Sequence, residues 1–134
     1  MFYEEITASD SSSKILGALS YILSFITWVI GPFIIYFIFR SKNKFVAFHA
    51  LYNVYLVSLG TVLYFILGIA FAAIAYSLNM PNIVQLLVAI FLGLPLLLLM
   101  LYGFIACLMG KTPLLFAGMI NKQISRYYKG NSGQ

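Results

Sequence analysis

Formal charge is missing from the middle of this chain. Between Phe45 and Gly110 there is no Asp, Glu, Lys or Arg, and the only acidic residues anywhere are Glu4, Glu5 and Asp10. Proton- or sodium-coupled transporters need ionisable groups near the bilayer midplane, so that chemistry has no obvious carrier here. Histidine and cysteine are as scarce: His49 and Cys107 each stand alone. One cysteine excludes an intrachain disulfide and a multi-cysteine metal site. One histidine with no carboxylate nearby in sequence makes a poor metal site. Intramembrane hydrolysis would need a nucleophile beside a base, and the chain offers isolated serines and threonines with His49 at one edge. Haem ligation would need His49 with a methionine such as Met100 or Met109, a pairing the sequence permits without signalling. No catalytic, cofactor-binding or metal-ligating residue is therefore expected, and the chain reads as no enzyme.

What is present is apolar surface. The 134 residues are 63% hydrophobic and 8% charged, against about 45–50% and 25% in soluble domains. The mean hydropathy of +0.99 agrees, and a chain this short cannot hide so much apolar surface in a core. The length allows one domain, with lipid as its solvent. The net charge of +5 comes from short clusters bordering apolar runs. These are topology signals and contacts for anionic lipid, without the basic stripe and interleaved aromatics of a nucleic-acid binder. The N-terminus, with Glu4, Glu5 and Asp10 against Lys14, lacks the positive n-region of a signal peptide, so the first apolar run is expected to be a retained anchor.

Residues 1–14 read as a flexible polar tail whose Asp10 to Ser13 offer N-cap oxygens to a helix starting near Lys14 or Ile15. From Ile15 to Phe39 there is no charge, and 25 residues would reach about 38 Å as helix, enough for a first span. Pro32 within it predicts a kink, because its ring removes an amide and crowds the carbonyl of Trp28. A basic loop holding Arg40, Lys42 and Lys44 follows. The next uncharged run, Phe45 to Tyr76, is about 48 Å as helix, longer than a bilayer needs. Its first three turns, with Phe45, Phe48, Tyr52 and Tyr55 around His49 and Asn53, are expected at the interface, and the span proper from about Leu56. Pro81 opens a third span, Val84 to Met109, with Gly93 and Pro95 as its bend.

Residues 114–129 project Phe116, Met119, Ile120, Ile124 and Tyr127 on one helical face. Gly118, Lys122, Ser125, Arg126 and Lys129 lie on the other, the pattern of an amphipathic helix on a membrane surface. Residues 130–134 read as a flexible tail. The expected fold class is thus all-α: an integral membrane protein with three transmembrane helices over residues 15–113, an interfacial start to the second, and a C-terminal surface helix. The positive-inside rule puts the N-terminus outside and the first loop and C-terminus in the cytoplasm of a multi-pass cell-membrane protein.

Arg40, Lys42 and Lys44 have a sufficient explanation as a stop signal. His49 and Asn53, four apart, share a helical face. They form a polar patch for a partner or lipid, or else they bond to each other, to backbone or to water. With Lys122 and Arg126 these are the candidate partner or lipid contacts. Ser20, Ser24, Gly60, Gly68, Gly103 and Gly110 let helices approach closely.

The stretch "LGALSYILSFITWVIGPFIIYFIFRSKNKFVAFHALYN", two further apolar runs and "GKTPLLFAGMI" resemble a family of small bacterial and archaeal membrane proteins. That family is related to the twenty-kilodalton subunit of the chloroplast inner-envelope (Tic) protein-import translocon. "IGP" in the first run, the short charged loop, "FVAFHA" at Phe45 to Ala50 and the G…P element after the last run carry the resemblance, over about residues 15–120. Family members often have glutamine and serine after the histidine-alanine pair, where this chain has Tyr52 and Asn53. The resemblance implies a helical membrane fold and a tendency to act inside complexes. The function expected is a non-catalytic accessory or scaffold subunit of a protein-translocation or respiratory assembly, with other membrane subunits and anionic lipids as partners. The alternative is a homo-oligomeric channel or transporter whose path His49, Asn53, Ser20, Ser24, Ser58 and Thr61 would line. A cofactor holder built on His49 is a third class.

Overall fold

The first apolar run does not form one helix. The computed structural model describes residues 2–3 and 6–126, and in it α1 (Ser11–Thr27) ends at Trp28, whose φ of 63° is left-handed. Helix α2 (Ile30–Phe39) then folds back on α1. A Cβ placed on Gly31 would lie 2.7 Å from Leu23 Cβ, whereas eight residues of continuous helix would separate the two by about 12 Å. Thr27 Oγ1 closes the turn, accepting from the Gly31 amide at 2.8 Å and donating to the Leu23 carbonyl at 2.8 Å. Pro32 is the third residue of α2. In that first turn amides have no intrahelical partner, so the missing N–H costs no helix bond. The kinked span expected over 15–39 is therefore a helical hairpin.

Helix α1 begins earlier than expected because Asp10 caps it: its carboxylate accepts from the Ser13 amide at 3.0 Å. Helix α3 (Lys44–Ser77) is capped by Asn43, whose Oδ1 accepts from the amides of Phe45 and Val46 at 3.1 and 3.2 Å. The two caps touch, since Asn43 Nδ2 donates to Ser13 Oγ at 2.8 Å. Thus α1 and α3 start at the same end of the bundle. Helix α4 (Asn82–Leu108) returns beside α3, holding Pro95 within it. After it the two-residue strand β2 (Thr112–Pro113) pairs antiparallel with β1 (Phe2–Tyr3). The Ala8 amide donates to the Gly110 carbonyl at 2.9 Å, and Thr112 Oγ1 donates to the Ile6 carbonyl at 3.0 Å. Gly110 is required there: its φ is +74°, and a Cβ would strike the carbonyl of Ala8. Residues 6–10, expected within a free tail, are built into the base of the bundle, and Ile6 is buried.

These contacts fix where the N-terminus lies within the molecule. It shares one end of the molecule with the first loop and the segment after α4, because β1 cannot pair with β2 from the opposite side. Lys14, Arg40, Lys42, Lys44 and Lys111 lie at that end, whereas the turn at Trp28, beside the middle of α3, and the turn at Leu78 to Pro81, at its far end, have no formal charge.

Helices α3 and α4 are long and apolar enough to cross a membrane, and only 6% of the most apolar stretch of each is buried, unlike the core helix of a soluble fold. With 17 and 10 residues, α1 and α2 reach only about 25 and 15 Å, short of the roughly 30 Å of a hydrocarbon core. The described chain therefore has two helices long and apolar enough to cross a membrane and a short helical hairpin over the first apolar run. The hairpin covers only the first half of α3. Phe45, Val46, Ala47, Phe48, Ala50, Tyr52 and Leu56 are buried there, and from Ser58 onward the helix is mostly exposed. The turns expected at the interface are thus the protein's core.

Helix α5 (Ala117–Ser125) is shorter than the 114–129 expected and packs its apolar side on protein. Ile120 and Ile124 are buried, Met119 is 61% exposed, and the Phe116 and Tyr55 rings lie 5.9 Å apart. Tyr127, Lys129 and the tail 130–134, like Glu4 and Glu5, lie outside the described residues.

Candidate functional site

His49 sits where α1, α3 and the segment after α4 meet, and it is fully buried. Its ring is boxed by Phe45, Tyr21 and Phe48, with centroids 4.7, 5.7 and 6.1 Å away. Nε2 lies 2.9 Å from the Lys111 carbonyl, which can only accept, so Nε2 carries the hydrogen. Nδ1 must then accept, and Tyr21 Oη donates to it across 2.7 Å. A neutral tautomer satisfies both bonds. With both nitrogens used, the ring presents neither to a metal or an outside proton.

One turn further on, Asn53 Nδ2 donates to the His49 carbonyl at 2.9 Å and to Ser20 Oγ at 3.0 Å. Asn53 Oδ1 has no hydrogen-bond partner among the described residues although the side chain is fully buried. Ser20 Oγ donates to the Gly17 carbonyl at 2.6 Å, and Ser24 Oγ to the Ser20 carbonyl at 2.9 Å. Small residues make this closeness possible: a Cβ on Gly17 would lie 2.5 Å from Cys107 Sγ, and one on Gly103 would strike Tyr21 Oη and the Tyr52 ring. Tyr52 Oη donates to the Leu99 carbonyl at 2.8 Å and pins α3 to α4.

The residues singled out in the sequence are therefore not brought together. His49 and Asn53 are neighbours but buried, and cannot be a surface patch for a partner or lipid. Arg40 lies over the Phe37 ring, 4.7 Å from its centroid. Lys42 is exposed beside the caps of α1 and α3, Lys44 opens α3, and Lys122 and Arg126 are exposed on and just beyond α5. Thr61 Oγ1 donates to the Val57 carbonyl and accepts from Trp28 Nε1 at 3.0 Å. Ser58 is exposed, and Ser20 and Ser24 turn to backbone, so these hydroxyls do not converge on one cavity. Among the described residues no three His, Cys, Asp or Glu side chains gather as a metal site.

Sequence reasoning missed Tyr21 and Lys111 as the partners of His49. Tyr21 was visible only as one of ten tyrosines, and Lys111 contributes a backbone carbonyl, which no residue type reveals. Asp10 holds more than a cap: its Oδ2 also accepts from Ser13 Oγ at 2.7 Å and Ser12 Oγ at 3.2 Å. The Ser13 hydroxyl and amide hold the Asp10 carboxyl below its ordinary value. Comparison with family models, curated proteins and solved structures gives no match to this chain.

Proposed function

We propose that this chain is a small, non-catalytic accessory subunit of a membrane assembly, holding a partner's transmembrane helix against the outer half of the α3–α4 hairpin. One observation carries the reading. At the tip of the α1–α2 hairpin, an apolar groove of about 320 Å³ runs between α3 and α4, lined by Trp28, Gly60, Tyr64, Phe65, Gly93 and Leu96. Near it, Gly68 and Gly93 leave open space where a Cβ would stand. Small residues on open helix faces are what membrane helices use to approach one another. The polar side chains around His49 are meanwhile spent on joining the protein's own elements.

The outer faces of the helices support insertion in lipid. Phe25, Ile26, Ile30, Phe65, Ile69 and Phe91 are each 60% exposed or more, far beyond the apolar patches that soluble monomers carry. The cationic end is the cytoplasmic one by the positive-inside rule, and the N-terminus is read on that side too. The resemblance at Phe45 to Ala50 favours a protein-translocation assembly over a respiratory one. The tagged protein should be purified from its native membrane in mild detergent and its companions identified by mass spectrometry. A stoichiometric membrane subunit is expected; a clean homo-oligomer would overturn the reading in favour of a channel.

A further inference from the structure

A polar cavity opens at the cationic end of the described protein. It holds about 380 Å³ and is lined by Ile6, Thr7, Asp10, Ser13, Lys42, Asn43 and Lys44, among others. Two opposite charges face this space without closing on each other: among the described residues neither Asp10 nor Lys42 has an ion-pair partner. The neutral groups between them are already engaged. Ser13 Oγ donates to Asp10 Oδ2 and accepts from Asn43 Nδ2, and Asn43 Oδ1 takes the first amides of α3. All three hydrogen bonds to Asp10 fall on Oδ2. Oδ1 keeps its accepting capacity, directed by a carboxylate whose position Ser13 fixes.

We infer that this cavity binds a phosphoethanolamine group, its ammonium on Asp10 Oδ1 and its phosphate on Lys42, with Lys44 beside it. A purely anionic group would meet the Asp10 charge at short range, and a choline would offer no N–H to the carboxylate. A primary ammonium joined to a phosphate satisfies both charges at once. The inference rests on α3 and α4 being membrane spans, which sets the cavity at the depth of lipid headgroups and makes phosphatidylethanolamine the natural source. Free O-phosphoethanolamine carries the same chemistry without the acyl chains.

The full-length protein is reconstituted into vesicles of phosphatidylcholine alone, or of phosphatidylcholine with phosphatidylethanolamine or phosphatidylglycerol. Flotation reports insertion, and native mass spectrometry after mild solubilisation reports the lipid retained. Insertion in all three mixtures is expected, with phosphatidylethanolamine retained about tenfold over either competitor, the scale of one charge-assisted hydrogen bond. Asp10→Asn keeps a capping oxygen and removes the charge, so it should abolish the preference over phosphatidylcholine while flotation holds. Lys42→Gln should lower retention of phosphatidylethanolamine itself. Displacement by millimolar O-phosphoethanolamine, with no effect of inorganic phosphate, would identify the headgroup as the ligand and the lipid as its source. Insertion with equal retention of all three lipids would overturn the site alone, as would a preference for phosphatidylglycerol. A protein that fails to float would overturn the membrane reading and the site with it.

Discussion

The side-chain amide of Asn43 donates to the hydroxyl of Ser13 across 2.8 Å, joining the first turn of α3 to the first turn of α1. The two are 30 positions apart in sequence, and between them the chain runs out and returns. The turn at Trp28 makes this reversal, held to α3 by the bond from its indole N–H to Thr61. A bulky residue at positive φ is costly, and that bond with the Thr27 hydroxyl bridge is the local compensation. Because α1 and α2 together go out and back, the charges at their two ends face the same way.

Topology mapping follows from that arrangement. In a Cys107→Ser background, single cysteines at Ser9, Lys42 and Lys122 should all be labelled by a membrane-impermeant maleimide from one side, and one at Asn79 from the other. Labelling of Ser9 and Lys42 positions from opposite sides would restore a full first span. Replacing Arg40, Lys42 and Lys44 with neutral residues should weaken the orientation bias and give mixed labelling.

Removing His49 should loosen three elements at once. His49→Ala leaves the Tyr21 hydroxyl and the Lys111 carbonyl without their partner in a buried site, at about 1–3 kcal/mol for each stranded group. The melting temperature of the detergent-solubilised protein should fall markedly, and Tyr21→Phe should produce a smaller fall of the same kind. A His49→Ala protein as stable as wild type would exclude the ring as the clasp between α1, α3 and the segment after α4.

Much of the helical content was legible because an uncharged apolar run can only be satisfied by internal hydrogen bonds in lipid. Pro81 before α4 and the Asp10 cap were also readable from local chemistry. The hairpin at Trp28 was not. Hydropathy measures length of apolar chain and is blind to direction, so a folded-back pair and a single span look alike. Positive φ at a tryptophan has no residue signature, unlike a glycine. The burial of His49 escaped for a related reason: the residues that enclose it, Tyr21 and the Lys111 carbonyl, come from far along the chain and meet it only after the hairpin forms.

Glycine substitutions should separate fold from assembly. Gly103→Ala places a methyl against the Tyr21 hydroxyl and the Tyr52 ring, and overpacking of that kind costs about 1–3 kcal/mol. Gly68 has open space around it, so Gly68→Leu should leave the monomer's melting temperature within about a degree or two while reducing co-purification of the partner subunit. Equal partner yields for Gly68→Leu and wild type would place the contact elsewhere.

Acid should act first at the base of the bundle. Hydrogen bonds from the Ser13 side chain and amide hold the Asp10 carboxyl below its ordinary value of 3.8. A group whose folded value is depressed stabilises the fold above the unfolded value, and that contribution disappears as pH falls through the folded one. Wild-type protein should therefore keep its carboxylate cap at the pH where free carboxyls take up protons and lose it only below the ordinary value of 3.8, as pH falls through the depressed folded value. The chain has two further carboxylates, Glu4 and Glu5, so the comparison that isolates Asp10 is with Asp10→Asn, which caps by an amide oxygen at every pH. Hydrogen exchange of the Ser13 amide, the one that Asp10 accepts, should accelerate relative to mid-α1 amides on acidification in wild type and stay level in the variant. Equal pH dependence in both proteins would show that Asp10 is not the residue that ties the start of α1 to the base of the bundle.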